Sequence, residues 1–153
     1  MLSVPMTGGA RAESPSFLAL GAGYYDPFKG SGPAGELRVE YRDGTRFWLF
    51  KPFIGTTFTT DPAFLGYAGV LSDFYFGKRV VISPSIAVGG YGQLAGKNMG
   101  TTFQIRSGLE VAYRFDNKVR LGLMLYHFSN AGIGNGANPG SEAISLTYSI
   151  PLY

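Results

Sequence analysis

The 153-residue chain has no cysteine and a single histidine, His127. Disulfide frameworks are thereby excluded, and too few side chains remain to build a zinc site, so neither a metal nor another cofactor is expected. Charged residues make up 15% of the chain, against about a quarter in an ordinary soluble domain. The net charge is only +3, and no basic cluster is longer than Lys78-Arg79, so nucleic acid is set aside as a partner. Long hydrophobic runs are missing as well. The longest, such as Phe47 to Phe50, reach four residues, whereas a membrane-spanning helix needs roughly 20. If this chain crosses a bilayer it must do so as a closed β-barrel, the one other fold that pairs every backbone amide and carbonyl in hydrocarbon.

What is abundant points the same way. There are 23 glycines, 12 Phe, 10 Tyr and one Trp, a composition that leans toward all-β structure and membrane interfaces. Eight segments alternate with period 2: Ser16 to Tyr25, Glu36 to Arg42, Phe47 to Phe58, Phe64 to Tyr75, Val80 to Tyr91, Phe103 to Phe115, Val119 to Ser129, and Glu142 to Tyr153. In the second, Glu36, Arg38, Glu40 and Arg42 alternate with Leu37, Val39 and Tyr41. In the sixth, Gln104, Arg106, Gly108, Glu110, Ala112 and Arg114 alternate with apolar residues, an order broken only by Ser107. A helix would scatter these charges around its surface.

The links between segments alternate too. Asp43-Gly44-Thr45, Gly77-Lys78 and Asp116-Asn117-Lys118 read as tight turns. Asp26 to Gly35, Thr59 to Ala63, Gly92 to Gly100 and Asn130 to Ser141 read as the longer set. Short turns at one end and longer loops at the other are the habit of outer-membrane barrels, for which eight strands is the smallest standard size. The soluble alternative is a lipocalin-like barrel with an apolar interior. The unbroken apolar face and the aromatic content favour an eight-stranded antiparallel transmembrane β-barrel, with Glu and Arg paired in its lumen.

One domain is expected, residues 15–153, preceded by an N-terminal extension or signal-peptide remnant at 1–14. Within the latter, Ala10-Arg11-Ala12 resembles the tail of a signal-peptidase site without the charged and apolar segments that go before one. Export is therefore inferred from the barrel pattern.

The seventh segment places His127 and Ser129 on the same face as Val119, Leu121, Leu123 and Leu125. The eighth places Glu142 on the face of Ile144, Leu146, Tyr148, Ile150 and Leu152. Three polar residues thus share the lipid-facing parity near one rim, where polar groups are costly unless they are interfacial or functional. A rim cluster that merely hydrogen-bonds is the plain alternative. The chemical reading is a nucleophile, Ser129, a base, His127, and a carboxylate, Glu142, to orient that base. The intervening stretch Asn130 to Ser141, with four glycines and three asparagines, can aim amides at an oxyanion, Asn130 foremost.

His127-Phe128-Ser129-Asn130-Ala131-Gly132, followed by Asn138-Pro139-Gly140-Ser141-Glu142 and a short final strand, resembles the lipid A 3-O-deacylase, or PagL, family. The resemblance spans the barrel in length and layout, and its specificity lies in His-x-Ser-Asn plus the later glutamate. It implies an esterase of the Gram-negative outer membrane with a Ser-His-Glu triad on the barrel exterior, removing the ester-linked 3-O hydroxyacyl chain of lipid A. Ser129, His127 and Glu142 carry over as nucleophile, base and orienter, and Asn130, Gly132 and Asn138 as oxyanion-hole residues. The expected partners are lipid A of lipopolysaccharide and the surrounding outer-membrane lipids, with a homodimer admitted. Lys29 and Lys97 are loop cations for its phosphates, or simply solvated. Two other functions stay open: a non-enzymatic small barrel such as an adhesin or stability protein, and a phospholipase or acyltransferase acting on another lipid.

Overall fold

The period-2 pattern is realised as eight long strands: β1 Ser16–Tyr25, β2 Ala34–Arg42, β3 Lys51–Thr59, β4 Ala63–Leu71, β5 Val80–Gln93, β6 Phe103–Arg114, β7 Arg120–Ser129 and β8 Ser141–Leu152. The computed structural model describes residues 11–12, 15–25, 34–60, 63–93, 103–129 and 141–152, with Arg11, Ala12, Tyr25, Ala34, Ala63, Tyr91, Gly92, Gln93, Phe103, Phe128, Ser129 and Ser141 described by their backbone only. Every strand pairs antiparallel with its sequence neighbour, and β8 pairs with β1 from Ala143↔Tyr25 to Leu152↔Ser16. The ring is therefore closed, no edge is left unpaired, and no helix occurs among the described residues. Closure satisfies the backbone in hydrocarbon.

Several boundaries differ from the sequence reading, each for a physical reason. β3 starts at Lys51, because Phe47 and Phe50 bond each other across Trp48, which takes a positive φ of 59°, and fold back as a separate small turn. The link between β2 and β3 is thus residues 43–50, longer than the expected three-residue turn. It pairs through Thr45–Arg46 with Arg11–Ala12. Conversely, Thr59 pairs with Ala63, so this link, expected among the long ones, is a tight hairpin.

The fourth segment is split between β4 and the short strand Phe74–Phe76, although both halves pair with β5 in one register. Pro84 causes the gap: Ser72 donates to its carbonyl, but proline has no N–H to return the bond. Pro151, in β8, lies beyond the last rung to β7 at Arg120↔Ser149, where one side of the strand needs no partner.

The lumen is filled, and with charge. Arg38, Glu40, Arg42, Arg106, Glu110 and Arg120 are all buried. Arg42 of β2 donates to both oxygens of Glu110 on β6 at 2.8 and 3.0 Å, and to Glu40 at 3.0 Å. Glu40 also accepts from Arg106 at 3.1 Å and from the Tyr67 hydroxyl at 2.6 Å. The Arg106 guanidinium lies 4.4 Å from the Tyr67 ring centre and 4.3 Å from that of Tyr126, within cation–π range of both. A second cluster gathers on Asp73, which accepts from Lys51 at 2.9 Å, Ser83 at 2.6 Å and Arg120 at 3.2 Å. Lys51, which interrupts an apolar run in the sequence, is an inward residue of this cluster.

The outer wall is the reverse. Leu37, Val39, Ile54, Ile86, Val88, Leu123 and Leu146 are exposed, with Trp48, Phe50, Phe74, Phe76, Tyr113 and Phe115 at the short-turn end and Tyr24, Phe58 and Phe64 at the other. An apolar band between two aromatic girdles is the wall of a transmembrane barrel.

Candidate active site

The chemistry-bearing residues sit where β6, β7 and β8 run side by side toward the long-loop rim. In β7 the inward set is Arg120, Gly122, Met124 and Tyr126, so Leu121, Leu123, Leu125 and His127 face out. In β8 the inward set is Ala143, Ser145, Thr147 and Ser149, which puts Glu142 on the outer face. The register then pairs His127 with Glu142 directly. Their side chains meet: His127 Nδ1 lies 2.6 Å from Glu142 Oε2, with the two side chains 48% and 38% exposed.

A carboxylate can only accept here, so Nδ1 carries the hydrogen and donates it. The ring is thereby held in the tautomer that leaves Nε2 with a free lone pair, ready to take a proton. Among the described residues Nε2 has no partner. This is the geometry of an oriented general base, placed on the outside of a barrel rather than in a cleft.

Ser129 is the last residue of β7, opposite Ile105 of β6; its side chain lies outside the described residues. Asn130, Gly132 and Asn138 also lie outside them, as do Lys29 and Lys97. The structure thus brings His127 and Glu142 together, with the backbone of Ser129 two residues beyond His127.

The other neighbour of His127 was only an irregularity in the sequence. Ser107 of β6 pairs with His127 on the side away from Glu142, and it is exposed on the outer wall. Below this polar row, Leu125 is flanked by Leu109 and Ile144. A groove of about 420 Å³ opens on the wall, lined by Ser107, Leu109, Leu125, His127 and Glu142 among others. Hydrocarbon can lie in its lower part while an ester meets the polar row. Among the described residues no group of acidic, histidine or cysteine side chains could hold a metal ion.

Residues 18–151 match the family model described as lipid A 3-O-deacylase (PagL). The chain belongs to the lipid A 3-O-deacylase family. It is accordingly an ester hydrolase, which sets aside the non-enzymatic barrel. The crystal structure of the outer membrane enzyme PagL superposes with a TM-score of 0.69 at 20% identity, covering 89% of this chain and 99% of that one. Neisserial surface protein A gives 0.61 at 13% identity over 94% and 99% of the two chains. A de novo designed transmembrane β-barrel gives 0.60 at 11% identity over 93% and 100%. These likenesses establish the fold, an outer-membrane-type barrel, and the deacylase family match adds the class of reaction. Comparison with curated proteins finds none that matches.

Proposed function

We propose that this deacylase-family chain works in the outer membrane of a Gram-negative bacterium and hydrolyses the ester-linked 3-O hydroxyacyl chain of lipid A with Ser129, His127 and Glu142. The observation that carries the reading is the 2.6 Å contact between His127 Nδ1 and Glu142 on the lipid-facing wall. With Nδ1–H held by the carboxylate, Nε2 removes the Ser129 proton as Oγ attacks the ester carbonyl carbon. The carbonyl oxygen becomes an oxyanion, for which Asn130, Gly132 and Asn138 are the proposed donors. Collapse breaks the bond to the sugar oxygen, which leaves with the proton from His127. Water then attacks the acyl-serine with the same base, releasing the fatty acid and restoring Ser129. The groove beside His127 supports this by giving the acyl chain an apolar path along the wall, so the ester can arrive without leaving the leaflet.

The test uses purified protein in detergent with lipopolysaccharide as substrate. Ser129→Ala is expected to lower release of the fatty acid by about 10⁴-fold or more, as removal of a triad nucleophile does. Release at the wild-type rate removes Ser129 from the mechanism. Mass spectrometry of lipid A and phospholipids after expression separates this reading from a phospholipase or acyltransferase: lipid A alone is expected to lose mass, by one hydroxyacyl chain.

A further inference from the structure

Resting on the esterase reading above, we infer that Ser107 is a specificity-determining residue, whose hydroxyl hydrogen-bonds a hydroxyl carried on the acyl chain a few carbons from the scissile ester. The wall around Ser107 is otherwise hydrocarbon. Its cross-strand neighbour away from His127 is Ile86, an exposed residue, and the next outward residue along its own strand is Leu109, also exposed. Among the described residues its hydroxyl has no hydrogen-bond partner. A hydroxyl turned toward lipid with nothing to bond is unfavourable, and it adds nothing to the β-ladder, which uses backbone groups alone. The groove it helps to line supplies the place where a ligand can complete it.

The ladder also says which part of a lipid arrives there. Glu142, His127, Ser107, Ile86 and Val70 form one cross-strand row. The row begins at the second residue of β8, at the long-loop rim, and reaches the eighth residue of β4, about halfway down the wall, since the pairing with β5 runs on in the same register to Phe76. Ser107 is therefore one strand deeper in the wall than His127, in reach of an acyl chain and past the headgroup. Directly opposed residues have Cβ atoms about 4.5–5.5 Å apart, so an extended chain whose carbonyl lies over His127 is over Ser107 at about its fourth carbon beyond that carbonyl, and a hydroxyl on the second carbon comes within hydrogen-bond reach of the serine Oγ. A serine hydroxyl both donates and accepts, which matches a hydroxyl substituent at that position. A plain methylene leaves Ser107 unpaired, and that difference is the discrimination.

The experiment compares two esters of one alcohol, carrying a 3-hydroxytetradecanoyl or a tetradecanoyl chain, in the same detergent with the full chain. The wild type is expected to favour the hydroxylated ester by about three- to tenfold in kcat/KM, the worth of one hydrogen bond. In Ser107→Ala the ratio falls to near one, and in Ser107→Thr it persists. No preference in the wild type, or an unchanged ratio in Ser107→Ala, overturns the proposal. So does loss of both activities in Ser107→Ala to the level of Ser129→Ala, which makes Ser107 part of the bond-breaking apparatus.

A second readout needs no turnover. His127 is the one histidine in the chain, so its modification by diethyl pyrocarbonate, read by mass, reports occupancy of the site. In the wild type and in Ser129→Ala, 3-hydroxytetradecanoic acid is expected to protect His127 at a lower concentration than tetradecanoic acid; in Ser107→Ala the two acids protect alike. Equal protection in the wild type overturns the role of Ser107 even where Ser129→Ala is inactive. Hydrolysis that survives in Ser129→Ala instead overturns the nucleophile assignment, while the protection difference still decides Ser107.

Discussion

Inside the barrel, Arg42 donates to both oxygens of Glu110 at 2.8 and 3.0 Å, with side chains 6% and 1% exposed; outside it, His127 meets Glu142 at 2.6 Å with side chains 48% and 38% exposed. The lengths are similar and the surroundings are opposite. The inner pair belongs to a network in which Glu40 and Arg106 add further contacts, leaving little chemistry to perform. The outer pair keeps a ring nitrogen without a partner among the described residues, on a wall that a lipid can touch. The polar groups of the lumen hold the fold, and those of the wall are the ones proposed to carry out the reaction. The two sets can be varied separately because one strand alternation sends them to opposite faces.

That separation can be broken from the outside first. His127→Ala is expected to lower turnover by about 10⁴-fold or more while leaving the barrel folded, checked by lipid A hydrolysis beside the electrophoretic shift between folded and boiled protein. Glu142→Gln keeps the shape but no longer holds the imidazole in one tautomer. Its expected cost in kcat is about 10²- to 10⁴-fold, nearer the lower bound because the pair is half exposed. A loss of stability in either variant would show that the wall pair is structural.

The inside gives the reverse outcome. Glu110→Ala leaves the buried Arg42 with Glu40 as its remaining counter-ion and takes the partner from two of its N–H groups, and breaking such a pair costs about 3–5 kcal/mol; urea unfolding from micelles measures it. The folded fraction should keep its turnover per molecule. On the apolar wall away from the site, Leu123→Arg is expected to cost about 2–4 kcal/mol, as an arginine does near the bilayer midplane. Leu123→Ala, which only trims the lipid contact, should stay within about 0.5 kcal/mol in the same assay.

Much of this was legible in the sequence, because a period of two assigns every strand residue to a face. Glu36, Arg38, Glu40, Arg42, Arg106 and Glu110 read as inward, and all are buried. Parity also put His127 and Glu142 on one face. What parity cannot give is which outward residues stand opposite one another, since that depends on register, and register depends on turns. The turn at Asp116-Asn117-Lys118 contained the missing information. Phe115 N–H donates to the Val119 carbonyl across it, and counting back from that rung sets Ser107 against His127. Read without register, Ser107 was only a break in an alternation.

Other features were hidden for different reasons. Lys51 and Asp73 lie in neighbouring segments, and only the register of the β3–β4 hairpin, which sets Lys51 opposite Leu71, brings them to 2.9 Å. The gap in the fourth segment has its cause on another strand, at Pro84. The Phe47–Phe50 turn needs a positive φ at Trp48, a conformation that nothing in an apolar run announces.

The Arg42–Glu110 and Arg106–Glu40 contacts join β2 to β6, strands on opposite sides of the ring with β1, β8 and β7 between them. A hairpin entering the bilayer alone would carry Glu36, Arg38, Glu40 and Arg42 into hydrocarbon with no counter-ions from β6. Insertion one hairpin at a time is therefore disfavoured, even though Glu40 pairs with Arg38 and Arg42 on its own strand. A ring that closes before or as it enters the bilayer supplies the missing partners, which couples membrane entry to folding.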